Sequence, residues 1–350
     1  MLRSLAGGLS TLALGTVEQA QNPSESPRTK LGLVTYCLDM HQKTPGAGEG
    51  ANPLSSPLGF LEECHRLGAA GMQFPLGTPA PAVLTELRQK ADRYEMYIEA
   101  NLNLPRDAAD LERFEKQVLA AKQAGAALAR VVMLPGRRYE QFNSADEFRQ
   151  ACQSGLKSLE LAEPVAARHG VRLAVENHKD HRMVEKIEVL RRLSSEFVGL
   201  CVDVINNLAL AEDPLEVAKA FAPWALSVHI KDSAVRECAE GFLLTDVALG
   251  AGFLDLPEIV KILRAARPAV RFNLEVITRD PILVPVLTAK YWATMPGAPA
   301  SDLARVLSTV RSKASSAPLP LISSLPTDQQ LAYESNNVAQ SLAWAREGLA

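Results

Sequence analysis

Four metal-capable side chains stand at or near the ends of short apolar runs: Glu176 in LAVENH, Asp203 in LCVDVIN, His229 in LSVHIKD and Glu275 in FNLEVITRD. Their spacings are 27, 26 and 46 residues. Two glutamates, an aspartate and a neutral imidazole form a mixed oxygen and nitrogen donor set. Such a set suits one divalent ion (Mn2+, Mg2+, Co2+ or Zn2+) and lacks the thiolates that would select zinc outright. Any one of these residues alone reads as a salt-bridge partner or a hydrogen-bonded core histidine. Four in like positions on consecutive strands point to a metal site.

The elements that must position them alternate regularly. Strand-like runs occupy 30–38, 70–76, 95–102, 127–134, 171–176, 198–204, 225–230 and 270–277. Helical spacing fills 57–69, 81–94, 107–125, 183–195, 214–222 and 256–267. Ser144 to Glu147 has the form of a capping box and starts a long helix that Gly170 ends, with Pro164 expected to kink or divide it. A Gly-containing loop is expected over 231–252. The later strands are near-continuous apolar runs, as in strands covered on both faces. Regular alternation implies a parallel sheet, and eight units in this length match an α/β protein of the (β/α)8 TIM-barrel class. An open doubly wound sheet is the alternative. Its dinucleotide-binding form needs G-x-G-x-x-G after an early strand, and no such motif or P-loop occurs here. In a barrel, successive strands bring their C-terminal ends to one rim, where barrel active sites sit.

Three segments follow from this reading: a leader and linker over 1–29, a barrel over 30–295, and a C-terminal helical extension over 296–350. Residues 1–22 have the form of an export leader, with one Arg, an apolar stretch and then polar residues. It is too short and weakly apolar for a stable membrane span. A periplasmic, exported protein is the expectation, and a cytoplasmic one with a disordered leader is the alternative. In the extension, Pro/Ser/Ala-rich stretches flank a short helix in LARVLSTVRS, and 327–350 reads as a last helix. Leu331, Val338, Leu342 and Trp344 are available to dock it on the barrel wall or on another subunit of a homo-oligomer. The chain carries a formal net charge of −3 and is 22% charged. That balance gives no bulk attraction to nucleic acid or an anionic membrane. The five scattered cysteines lack C-x-x-C spacing and read as free thiols.

The quartet, with HIKD and the strand-borne VEN and VDVIN, resembles the sugar-phosphate isomerase/epimerase superfamily of xylose isomerase-like barrels, over about residues 30–290. The resemblance implies that Glu176, Asp203, His229 and Glu275 bind one divalent metal. It implies further that Arg236 and Asn206 contact substrate. His178 and Lys231 are further substrate-binding candidates, with Lys179, Glu99 and Arg138 as other pocket candidates. Arg137 and Arg138 are either anion holders or solvated loop residues. His41 and His181 receive no role.

The chemistry follows from the metal. A carbonyl and an adjacent hydroxyl of a sugar or keto-sugar chelate the ion, which stabilises the enediolate left when a carbon loses its proton. Glu176 and Glu275 are the candidate catalytic bases and acids. Proton return to the opposite face gives epimerisation, and return to the neighbouring carbon gives isomerisation. A lyase or hydratase of 3-keto-glycosides would use the same ion, and a barrel that binds sugar without turnover is the non-catalytic alternative. A DNA-repair endonuclease of the same superfamily needs more histidines than the six present, none of which lies between His65 and His169.

Overall fold

The computed structural model describes residues 27–44 and 52–349. The leader reading for 1–22 lies outside the described residues. Eight parallel strands close a barrel: β1 (Leu31–Val34), β2 (Gly71–Phe74), β3 (Tyr97–Asn101), β4 (Leu128–Val131), β5 (Arg172–Glu176), β6 (Val198–Asp203), β7 (Ala225–Ile230) and, after the hairpin β8 (Asp232–Cys238) and β9 (Gly241–Val247), β10 (Arg271–Leu274). β10 pairs with both β7 and β1 and closes the ring. The strands are shorter than the apolar runs suggest. β1 stops at Val34 because residues 35–38 tighten into a 3-10 turn.

The helices run in chain order: α1 (Asp39–Lys43), α2 (Pro57–Arg66), α3 (Pro81–Arg93), α4 (Leu111–Gln123), α5 (Arg138–Gln141), α6 (Ala145–His169), α7 (Met183–Leu193), α8 (Pro214–Phe221), α9 (Leu256–Ala266), α10 (Ala289–Trp292), α11 (Ala300–Lys313) and α12 (Thr327–Gly348). Their starts are written locally. Ser56, Ser144, Asp213 and Asp255 each accept a first-turn backbone N–H, and Pro57 and Pro214 occupy first positions where no donor is needed. Gly170 ends α6 at φ +70°. α6 runs unbroken through Pro164, so of the two expected outcomes, kink or division, the division does not occur.

Residues 231–252 are not a loop. β8 and β9 form an antiparallel hairpin, extended by β11 (Ile282–Val284) into a three-stranded sheet beside the barrel. Val235, Phe242, Leu244 and Val284 turn inward and form a second apolar core with Val306 and Val310 of α11. α12 docks on the main barrel core through Val338, Leu342, Ala345 and Leu349, with Trp344 packed alongside. Leu331 is only half-buried. Glu334 of α12 is fully buried and accepts from the Met40 N–H at 2.9 Å and the His41 N–H at 3.1 Å. The extension therefore braces the segment that follows β1. No helix among the described residues is long and apolar enough to cross a membrane.

Candidate metal centre

Register places the quartet. Asp203 and His229 are direct partners across β6 and β7, and Glu176 ends β5 opposite Cys201. Glu275 lies one residue beyond β10, where its N–H donates to the Ile230 carbonyl at 3.1 Å. All four residues are buried, and one ligand atom from each lies within 4.8 Å of the others. Ligands held roughly 2–2.6 Å from one ion lie no more than about 5 Å apart, so the spread fits a single site.

The histidine is oriented from below. His229 Nε2 lies 2.9 Å from Gln73 Oε1. An amide oxygen only accepts, so Nε2 carries a proton and Nδ1 is the nitrogen turned toward the carboxylates. Nδ1 is 3.5 Å from Glu275 and 3.7 Å from Glu176, and it is a buried atom with no hydrogen-bond partner among the described residues. Asp203 Oδ2 is a second such atom: the Lys231 ammonium lies 2.8 Å away but off its hydrogen-bonding direction. A buried imidazole nitrogen with no hydrogen-bond partner, clustered with three buried carboxylates, is what a cation site requires.

Gln73 belongs to a polar layer deeper in the barrel. Glu99 Oε2 accepts from Gln73 Nε2 at 3.1 Å, Ser227 Oγ at 2.7 Å and Asn273 Nδ2 at 2.9 Å. Burial pushes the Glu99 carboxyl above its usual range, and these donors only partly offset it. Glu99, expected in the pocket, instead supports it from beneath.

Charge around the quartet is uneven. Burial, the largest influence, would raise Glu176, but the positive groups around it, Arg130 of β4 first among them, together hold the carboxylate low, at about 2. Arg130 Nε donates to Glu176 Oε2 at 2.6 Å. Burial would raise Glu275 as well, but the positive groups beside it, Lys231 foremost at 2.5 Å, hold it well below the usual range. Asp203 is raised, chiefly by burial. Lys179 is lowered to about 8 by burial and then by Lys231. Its backbone has φ +58°, a left-handed conformation costly for a lysine, and its carbonyl accepts from the Arg138 N–H at 3.0 Å. The Lys179 ammonium donates to Asn206 Oδ1, and Asn206 Nδ2 donates to Glu176 Oε1 at 3.2 Å.

A cavity of about 530 Å³ opens above the quartet. Asn206, His178, Lys231, Lys179 and Glu275 line it, as do Arg137, Thr278 and Arg279. Arg236 does not. It is exposed on β8 opposite Leu243, because the hairpin alternation that buries Val235 turns its neighbour outward. Arg138 likewise does not line this cavity. It is buried beneath the rim, where it donates to Glu185 and Thr294 and stacks 3.4 Å over Phe148. His41 pairs with Glu334, and His181 with Asp180 at 2.9 Å. Sequence reasoning missed Arg130, Gln73 and Arg279. The first two are polar residues inside apolar strands, ARVV and GMQF, and a mid-strand charge or amide in a buried sheet was the available signal.

A family model described as a xylose isomerase-like TIM barrel matches residues 61–307, more than half of the chain. The chain belongs to the xylose isomerase-like TIM-barrel family. Among relatives of this family, the 3-oxo-isoapionate decarboxylase of Pectobacterium atrosepticum is 26% identical over 243 residues, 67% of this chain and 80% of the relative. An L-ribulose 3-epimerase structure superposes with a TM-score of 0.54 at 13% identity, covering 91% of this chain and 96% of that one. A 3-keto-D-glucoside 4-epimerase from E. coli gives 0.53 at 15% identity, over 81% and 100%. A xylose isomerase-like barrel from Mycobacterium smegmatis, solved with magnesium, gives 0.54 at 13% identity, over 82% and 98%. At these identities the structures establish the shared fold.

Proposed function

We propose that the protein is a divalent-metal-dependent isomerase or epimerase of an oxo sugar, with Glu176, Asp203, His229 and Glu275 as metal ligands. The observation that carries this reading is the bare Nδ1 of His229, oriented by Gln73 into a cluster of three buried carboxylates. When bound, the ion would polarise a carbonyl and an adjacent hydroxyl and stabilise the enediolate charge.

The chain's residues supply the proton transfers and the positioning. The Glu176 and Glu275 carboxylates both approach the His229 ring nitrogen, at 3.7 and 3.5 Å, and in this reading a carbon bound at the site meets one carboxylate on each face. One takes the proton from the carbon bearing the hydroxyl, and the other returns a proton to the opposite face, which gives the epimer. Asn206 and Lys231 offer a hydrogen-bond donor each toward substrate oxygens, and His178 stands at the cavity wall with burial favouring its neutral form.

A lyase reaction is the second reading, favoured by the decarboxylase relative. There an enolate would form by loss of carbon dioxide from the carbon next to the carbonyl, or would form by proton loss and then expel a group β to the carbonyl. Incubating the Mn2+-loaded protein with four- to six-carbon oxo sugars and 3-keto-glycosides in deuterated water separates the two. An epimerase returns an isomer carrying one solvent deuterium. A lyase returns a product lighter by the lost group. No turnover or exchange with any of these, in protein shown to hold metal, would contradict both.

A further inference from the structure

The cavity above the quartet is unevenly charged once its pairs are counted. Lys43 is neutralised by Asp39 at 2.6 Å, and Arg137 by Glu140 at 2.5 Å. Arg130 and Lys231 face the three ligand carboxylates. Lys179 and Arg279 also line the cavity, and neither has a carboxylate within ion-pair distance among the described residues. Asp246 acts on both lysines from behind Ile277, whose N–H it accepts at 3.2 Å. With a divalent ion in place, six positive charges would face four negative ones: the ion's two, Arg130, Lys231, Lys179 and Arg279 against Glu176, Asp203, Glu275 and Asp246. A neutral sugar would leave that excess in place, and at the buried Lys179 uncompensated charge is costly.

Two further features centre the excess on Lys179. Its side chain is buried, and its only hydrogen-bond partner among the described residues is Asn206, which in turn touches Glu176. An anion at Lys179 therefore lies two hydrogen bonds from a metal ligand, within the span of one small sugar. The strained backbone at φ +58° is held by the Arg138 N–H, and Arg138 is itself locked by Glu185 and Thr294. Thr278, next to Arg279, lines the same cavity with a buried hydroxyl that has no partner among the described residues. Strain kept by a rigid support, beside unpartnered donors, marks a binding position rather than a solvated loop.

We propose that the substrate is an anionic oxo sugar, a sugar acid or a sugar phosphate, whose charged group is held by Lys179 and Arg279 while its carbonyl end reaches the quartet. This rests on reading the quartet as a metal site. The arrangement selects against neutral ketoses, because those leave a lysine and an arginine without a counter-charge.

The test is calorimetric binding to Mn2+-loaded protein of three sets of probes matched in carbon number: 2- and 3-oxo aldonates, ketose phosphates and neutral ketoses. Wild type, Lys179→Met and Arg279→Gln are compared, with metal content measured on each. The expected result is that one anionic set binds at least about tenfold more tightly than the neutral set, the effect of one charge-assisted hydrogen bond. Each variant should lose most of that preference while keeping its metal. Whichever anion binds also identifies the group. Neutral ketoses binding as well as both anions, no anion binding at all, or a preference intact in both variants would overturn the proposal. Absence of metal from the wild type would instead count against the metal-site reading beneath it.

Discussion

His229 and Gln73 are joined by a 2.9 Å hydrogen bond from ring Nε2 to amide Oε1, and that bond decides which nitrogen of the histidine faces the carboxylates. Gln73 is held in turn by Glu99, so the tautomer is fixed by residues of two other strands, β2 and β3. Replacing Gln73 by Leu removes the acceptor and leaves the ring free to carry its proton on either nitrogen. Metal affinity should fall by about 10- to 100-fold, the usual effect of losing a partner behind a ligating histidine. Chelator competition with Mn2+ and Zn2+ measures this, and unchanged affinity would remove the orienting role from Gln73.

Lys186 supports the loop from Glu176 to His181. It is fully buried and donates to Asp180 Oδ2 at 2.9 Å and to the Glu176 carbonyl at 3.2 Å. Lys186→Met leaves the buried Asp180 carboxylate with only part of its support and should cost about 3–5 kcal/mol of stability. Adding Asp180→Asn should recover part of that loss. Denaturant unfolding of the two variants tests the pair, and additive losses would show that it is not coupled.

Asp180 also sets an acid limit. Burial alone would raise its carboxyl, but Lys186 and His181 outweigh burial and hold it well below the usual carboxylate range. A depressed folded-state pKa gives stability that is present above the unfolded value, about 3.9, and is lost as pH falls below it. Stability measured from pH 5 down to pH 2 should therefore fall less steeply in Asp180→Asn than in wild type. Parallel curves would contradict the assignment.

Glu334 joins the last helix to the segment after β1, whose Tyr36, Asp39 and Lys43 line the cavity. Glu334→Ala leaves two backbone N–H groups without their acceptor and should destabilise by about 1–3 kcal/mol. Limited proteolysis should then cut within 35–44 sooner than in wild type. Unaltered cleavage would show that α12 packs on the barrel without bracing the rim.

The barrel was legible because strands covered on both faces read as continuous apolar runs, and the quartet because polar residues at their ends break those runs in register. The hairpin over 232–247 was not. Its alternation around Val235 and Phe242 makes sense only against β11 and α11, partners tens of residues away. Arg236 was assigned by its distance from His229 in the sequence, and the register of that hairpin turns it to solvent. Arg130 was passed over because its partner Glu176 lies 46 residues on, and Glu334 because its partners precede it by 293 and 294 residues. Local patterning carries strand and helix identity, while buried ion pairs between distant elements leave no periodic trace.

The most direct test is elemental analysis of wild type and Glu275→Gln, purified side by side without chelator. The account predicts close to one equivalent of Mn, Mg, Co or Zn per wild-type chain and a clear deficit in the variant. Metal missing from both after incubation with excess divalent ions, or present equally in both, would contradict the site.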